Sequence, residues 1–399
     1  MYQPDHKILS NYADVLINFA LGSGDGIKKD DVVLLAFDVE ATPLALEVYR
    51  TILAAGGHPM ARPNEEDFGK IFYQAASIKQ LQFFPKKYSK TLVDTIDHRI
   101  YIMADRNPLL LSGIDPKKIM LANKSRVIMR KWMDDKEDAG KLTWTLALYG
   151  TPGLAKQAGI SLDDYWQQII NACFLQQEHP IKKWQSVVAD IEKIKIQLNK
   201  LPIKTLHVKS KDTDLTILYG EYRRFLGGSG RNIPSFELFT SPDWRGTNGK
   251  VYFDYPLYRY GNLITGIHLE FKNGKVIKSS ATKNEKLLKE MIKQKNADKI
   301  GEFSLTDIRH SHITAFMAHT LYDENFGGKF GNSHLALGTS YHDAYAGDAK
   351  KLNDADWEKL GFNKSAEHCD IIMTNDRVVT ATLNNGVKTI IYKGGKFTV

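Results

Sequence analysis

The chain is nearly free of cysteine: Cys173 and Cys369 are the only two, and they stand far apart. That scarcity excludes a disulfide-stapled secreted scaffold and fits a reducing compartment. No stretch approaches the ~18 uninterrupted apolar residues of a membrane span, and Met1 to Lys7 lacks a basic region leading into an apolar core. The expectation is a cytoplasmic protein without a secretory leader or a membrane partner. Charge of one sign is not concentrated either. The formal net charge is +8, yet lysine and arginine are spread along the chain. Their densest region, Lys182 to Lys211, interleaves with Ile191, Ile194, Ile196 and Leu198, the pattern of an amphipathic helix with a solvated face. No nucleic-acid motif accompanies the charge, so nucleic acid is not an expected partner. A phosphate fingerprint is missing too: Gly22, Gly24 and Gly26 precede the first clear strand, whereas such a loop follows its strand, and they read as a turn.

What is present is an ordinary globular composition, 43% hydrophobic and 25% charged, over 399 residues. That length exceeds what one core usually serves, so two domains are expected, 1–202 and 203–399. In the first, the apolar run Val32 to Phe37 leads through Thr42-Pro43 into a helical pattern ending at Gly56-Gly57, followed by a short strand near Met60. This is a βαβ unit. Ile100 to Met103 and Ile119 to Ala122 read as further buried parallel strands. Ser161 with Asp164 forms the opening of a helix through Tyr165, Trp166, Ile169 and Ile170, and another helix runs from Lys182 past Ile196 to end before Pro202. Beyond Pro202 the texture is short and β-rich, with Leu215 to Tyr219, Lys250 to Phe253, Lys275 to Lys278 and Asp370 to Met373 as strands. Asn248-Gly249, Asn273-Gly274 and Asn384-Asn385-Gly386 read as turns before a terminal strand ending at Val399. The predicted fold class is an α/β N-terminal domain followed by a β-rich α+β domain.

Candidate chemistry gathers in the second half. In His368-Cys369-Asp370 the first and third side chains share one face of a strand, a pairing that suits a hard-to-borderline divalent cation. Cys369, between them, faces the other side and reads as packing. Glu237, Glu302, Glu324, His334 and Tyr341 are further candidate ligands, dispersed as in a site assembled by tertiary folding. His310-Ser311-His312 has the same spacing as the His368 pair and competes for the role; spacing alone does not choose.

The wording around these residues resembles one family along the whole chain. Its carriers are Asn232-Ile233-Pro234-Ser235-Phe236-Glu237-Leu238-Phe239-Thr240-Ser241-Pro242, Gly301-Glu302, Thr320-Leu321-Tyr322-Asp323-Glu324-Asn325, and Ser333-His334-Leu335-Ala336-Leu337-Gly338 with Tyr341 seven residues after the histidine. His368-Cys369-Asp370 completes them. Text outside the candidate site agrees as well: Trp144-Thr145-Leu146, Tyr149 to Pro152, and Arg224 to Arg231. The sequence resembles the dinuclear metallo-aminopeptidases that include aminopeptidase T, AmpS and PepS. The resemblance implies a β-rich catalytic C-terminal domain, a homodimer enclosing its active sites, and two divalent ions per chain, zinc, cobalt, manganese or magnesium. It implies metal ligands at Glu237, Glu302, His334, Tyr341, His368 and Asp370, with Glu324 beside the metals and counted with the ligand candidates. The expected reaction is hydrolysis of the N-terminal peptide bond of short peptides by a metal-activated water. Glu302 is the candidate base, with Glu324 the alternative, and Tyr341 either binds metal or stabilises the oxyanion.

Two departures from the family pattern stand out. Residues Phe326 to Asn332, with Gly327, Gly328 and Gly331, are extra between Glu324 and His334, and the segment at His310 and His312 is unusually rich in histidine. If the extra residues displaced Glu324 or His334, the chain would instead be a catalytically silent dimeric binding or scaffold protein of the same fold.

Overall fold

The computed structural model describes residues 2–228 and 230–399. Ser229, within the Arg224 to Arg231 stretch quoted above, lies outside the described residues, as does Met1. The chain divides into two compact units, one of Met1–Val187 with Ser229–Ser235 and the other of Val188–Gly228 with Phe236–Val399.

The first unit is built on a parallel sheet in the order His58–Asn64, Val32–Asp38, His98–Met103, Thr143–Leu148 and Asn232–Ile233. The expected βαβ unit is present, its helix running Thr42–Ala54 with Pro43 in the first turn, where a missing N–H costs nothing. Gly22 and the glycines near it sit in a short turn ahead of the first strand. Ile119 to Ala122 corrects the sequence reading: it is not a strand but the middle of the helix Pro116–Ser125. Asp115 caps that helix by accepting from the Lys117 N–H, and Pro116 starts it. A four-residue apolar run carries no period of its own, and these start signals decide it. The strand beside His98–Met103 is Thr143–Leu148 instead.

Among the described residues the second unit holds two large antiparallel sheets and a separate two-stranded hairpin. The larger has eight strands in the order Lys275–Ser280, Ile267–Lys272, Asp243–Phe253, Asp214–Leu218, Ile203–Lys209, Val378–Leu383, Lys388–Lys393 and Lys396–Phe397. Asn273-Gly274 makes the expected hairpin turn between the first two, both residues at positive φ. Asn248-Gly249 does not turn the chain; it lies inside the long strand Asp243–Phe253. Gly249 there has φ +117° and presses on the Asp214 carbonyl, so the glycine serves a close approach between strands. The terminal strand ends at Lys393 and is followed by a short hairpin to Lys396–Phe397.

The smaller sheet positions the site. Its order is His368–Met373, Asn332–Gly338, Ile300–Thr306 and Glu237–Thr240. Each strand sends successive side chains to opposite faces, and the antiparallel register sets residues of the same face opposite one another. Glu302 sits opposite Ala336, Ser304 opposite His334 and Phe239, Thr306 opposite Glu237, and Ala336 opposite Asp370. Residues directly opposite share a face, so the register gathers Glu237, Glu302, His334, His368 and Asp370 on one side. Phe303, Leu305, Leu335, Leu337, Cys369 and Ile371 fall on the other, every one of them buried. Each such side chain contributes roughly 1.5–3 kcal/mol by leaving water. The polar side is also buried: every residue of Ile300–Thr306 and Asn332–Gly338 is shielded.

Candidate metal centre

Glu302 stands at the middle of the polar face. Its strand carries an irregularity between Ile300 and Glu302, and Gly301 abuts the Thr339 carbonyl where a Cβ would collide. The irregularity aims the Glu302 carboxylate between two groups of donors. Its Oε1 lies 3.0 Å from His334 Nε2, which is 3.4 Å from Glu237 Oε2. Its Oε2 lies 3.6 Å from His368 Nε2, which is 3.3 Å from Asp370 Oδ1. Glu237, Glu302 and His334 each offer a ligand atom, all within 4.8 Å of one another.

The surroundings orient these donors. His368 Nδ1 is 3.0 Å from the Thr339 carbonyl oxygen, and since a carbonyl only accepts, Nδ1 carries the proton and Nε2 faces the carboxylates. Ser304 Oγ donates to Glu237 Oε2 at 2.7 Å. His334 Nδ1 and Asp370 Oδ1 are buried and make no hydrogen bond among the described residues. Buried polar atoms rarely stay so without another partner to satisfy them.

Glu324 and Tyr341 complete the set. Glu324 follows the short helix Thr320–Asp323, is buried, and feels the charges of Glu237 and Asp370. Asn325 fixes it in place: its side chain accepts from the Phe236 N–H at 2.7 Å and donates to the Leu321 carbonyl, tying this turn to the residue before Glu237. Tyr341 packs its ring 4.8 Å from that of His368 and 5.9 Å from Phe239, and its N–H donates to Ser241 Oγ.

Four carboxylates and two imidazoles share this dry space, and their protonation reports the strain. Burial pushes Glu237 up to about 7, with the neighbouring Glu302 charge adding to it and His334 opposing. Burial, then Glu237 and Asp370, pushes Glu324 well above the usual carboxylate range. Burial would lower His334, but the bond to Glu302 and the charges of Glu237 and Asp370 raise it to about 10. Asp370 is held far below its ordinary value because the charges of His368 and His334 outweigh its burial. Left to themselves, the groups keep protons to offset excess negative charge. A divalent cation performs the same task, and the oxygen-and-imidazole donor set fits zinc, cobalt or manganese.

The remaining candidates separate cleanly. His310 lies past the end of its strand, where its charged neighbours are Asp307, Arg309, Asp190 and His312, none of them in the cluster; His312 is exposed. Cys369 is on the apolar side, where burial pushes its thiol up to about 12, too high for a ready thiolate. The extra segment Phe326 to Asn332 is a packed turn. The Gly327 N–H donates to the Ile313 carbonyl, Asn332 bonds back to the Phe326 carbonyl, and Tyr392 donates to the Phe330 carbonyl. Glu324 before it and His334 after it both reach the cluster. Ser304, Asn325 and the Thr339 carbonyl were not singled out from sequence. Two of these carried a signal: Ser304 stands two residues from Glu302 on the same strand face, and Asn325 closes the motif that holds Glu324.

Comparison with known proteins agrees with the site. The profile of a family described as thermophilic metalloprotease (M29) matches residues 5–397. The chain is 25% identical to aminopeptidase PepS of Streptococcus thermophilus, over 98% of each chain. It is 26% identical to aminopeptidase AmpS of Bacillus subtilis strain 168, over 84% of this chain and 85% of that one. Wild-type AmpT from Thermus thermophilus superposes with a TM-score of 0.84 at 22% identity, covering 98% of this chain and 99% of the other, and so shares the fold. With the family profile spanning nearly every residue and a buried carboxylate–imidazole cluster at its centre, the chain belongs to the thermophilic metalloprotease (M29) family.

Proposed function

We propose that this metallo-aminopeptidase releases N-terminal residues from short peptides with two divalent ions per chain, held by Glu237, Glu302, His334, His368 and Asp370, with Glu324 and Tyr341 beside them. The observation that carries the reading is the position of Glu302, one oxygen toward His334 and Glu237 and the other toward His368 and Asp370. A carboxylate so placed suits a bridge between two donor groups. When bound, such ions supply Lewis acidity toward the scissile carbonyl and acidify a water near neutral pH.

The chain's own residues divide the rest of the work. With both oxygens of Glu302 facing donors, Glu324, buried beside Glu237 and Asp370, is the second candidate to accept the water's proton. Tyr341, with its ring against His368, is set to donate to the developing oxyanion or to join the ligands. A homodimer enclosing the site would admit only short peptides, and residues 203–399 would form the catalytic domain. Among the described residues no helix is long and apolar enough to cross a membrane, and the cytoplasm is the proposed location. The silent-scaffold alternative requires Glu324 or His334 to be displaced, and both lie in the cluster.

The test is metal analysis with kinetics. Protein equilibrated with zinc, cobalt or manganese should hold two ions per chain and cleave an aminoacyl reporter, and Glu302→Gln should lower kcat/KM by roughly 10²–10⁴-fold. Absence of bound metal together with absence of cleavage would sink the proposal.

A further inference from the structure

Beside the strand that carries His368 and Asp370 lies a second charge cluster, a half-buried arginine on a buried glutamate, that the reaction itself does not use. A two-stranded hairpin, Leu257–Arg259 with Asn262–Ile264, stands apart from the metal-bearing sheet in its pairing. Its turn is Tyr260-Gly261, both at positive φ, +50° and +69°. Glycine adopts that conformation freely; a tyrosine there costs on the order of 1 kcal/mol and calls for a reason.

The reason is what the side chains reach. The Tyr260 hydroxyl lies 2.9 and 2.8 Å from the two carboxylate oxygens of Glu367, the residue just before His368. Arg259 Nη2 donates to Glu367 Oε2 at 3.2 Å and to the His368 backbone carbonyl at 3.1 Å. Glu367 is only 4% exposed, and the Arg259 guanidinium lies 4.8 Å over the Tyr260 ring. Arg259 Nε is buried with no hydrogen-bond partner among the described residues, so the side chain accepts a desolvation cost to hold this place. Its charge also acts on Asp370.

We propose that Arg259 is a positioning residue: by gripping Glu367 and the His368 carbonyl together, it fixes the backbone from which His368 and Asp370 project and so sets their spacing for a cation. The inference rests on the metal reading of the site given above. Both Arg259 bonds leave from one terminal nitrogen, Nη2, while the flat guanidinium lies over the Tyr260 ring, a stacking that a lysine ammonium does not reproduce. Tyr260 completes the grip by occupying Glu367 from the other end of the turn.

The experiment uses the full chain as wild type, Arg259→Met, Arg259→Lys and Tyr260→Phe. Each is titrated with cobalt(II) while the visible absorption band and the bound stoichiometry are followed. Folding is checked by circular dichroism, and kcat and KM for an aminoacyl reporter are measured at saturating cobalt. Arg259→Met should bind cobalt roughly 10–100-fold more weakly and alter its band, as expected when groups behind the ligands are removed, with kcat falling more than KM changes. Arg259→Lys should recover only part of the loss, and Tyr260→Phe should weaken cobalt binding in the same direction by a smaller factor. Wild-type cobalt affinity and an unaltered band in a folded Arg259→Met protein would overturn the proposal, even if its melting temperature dropped. Should Arg259→Met fail to fold, Tyr260→Phe decides: a weaker cobalt affinity supports the grip and an unchanged one overturns it. Wild type that binds no cobalt would overturn this inference and the metal reading together. Wild type and Arg259→Met binding equally well would remove the inference alone.

Discussion

The two faces of the four-stranded sheet come from the same strands, residue by alternate residue, and yet they solve opposite problems. One side stacks Phe303, Leu305, Leu335, Leu337 and Ile371, whose removal from water stabilises the fold with no further condition. The other buries Glu237, Glu302, Glu324 and Asp370 around His334 and His368, an arrangement that raises two of the carboxylates and both imidazoles toward their protonated forms. The apolar side is stable by its own chemistry, whereas the polar side must offset its clustered negative charge, by held protons or by a bound cation. Stability and activity should therefore separate along the strands, one residue at a time.

Adjacent positions on one strand test this. The largest effect is expected from His334→Ala, which removes a donor from the polar face. Loss of several kcal/mol of transition-state stabilisation corresponds to a fall in kcat/KM of roughly 10³-fold. Metal content after dialysis should drop with it, and unchanged metal content would break the comparison. Next comes Leu335→Ala, its neighbour on the apolar face. It should destabilise by about 2–5 kcal/mol in urea unfolding while keeping the metal stoichiometry of wild type. If metal were lost under conditions where that variant remains folded, the faces would not be separable. The smallest effect belongs to Cys369→Ala. It lies between two candidate ligands in sequence but lines a small, mostly apolar cavity with Leu288, Met291, Ile292, Ala297, Leu337 and Glu367. A change of about 1 kcal/mol in stability, with metal binding intact, would sharpen the comparison to the level of a single residue.

Much of this was legible in the sequence, and the exceptions have physical causes. The alternation in His368-Cys369-Asp370 told which side chains face together, because a period of two belongs to any half-buried strand. That Glu237, Glu302 and His334 join them is a matter of register between strands distant in sequence; here the motif resemblance, and not periodicity, pointed to the site. Ile119 to Ala122 was misread because four apolar residues fit a strand and a helix equally, and Asp115-Pro116 settled it. Asn248-Gly249 was misread because the same dipeptide that turns a hairpin also permits a close approach within a strand. The Arg259 grip was not visible at all: nothing in Arg259-Tyr260-Gly261 indicates that it will meet Glu367 more than a hundred residues later.

The register of the metal-bearing sheet has one more consequence. Because the two faces alternate, a slip of one residue in the His368–Met373 strand would turn Cys369 and Ile371 toward Glu302 and bury His368 and Asp370 among leucines. No intermediate pairing is half right. A cation bound there would favour the correct pairing over every neighbouring one, since only that pairing presents a place for it.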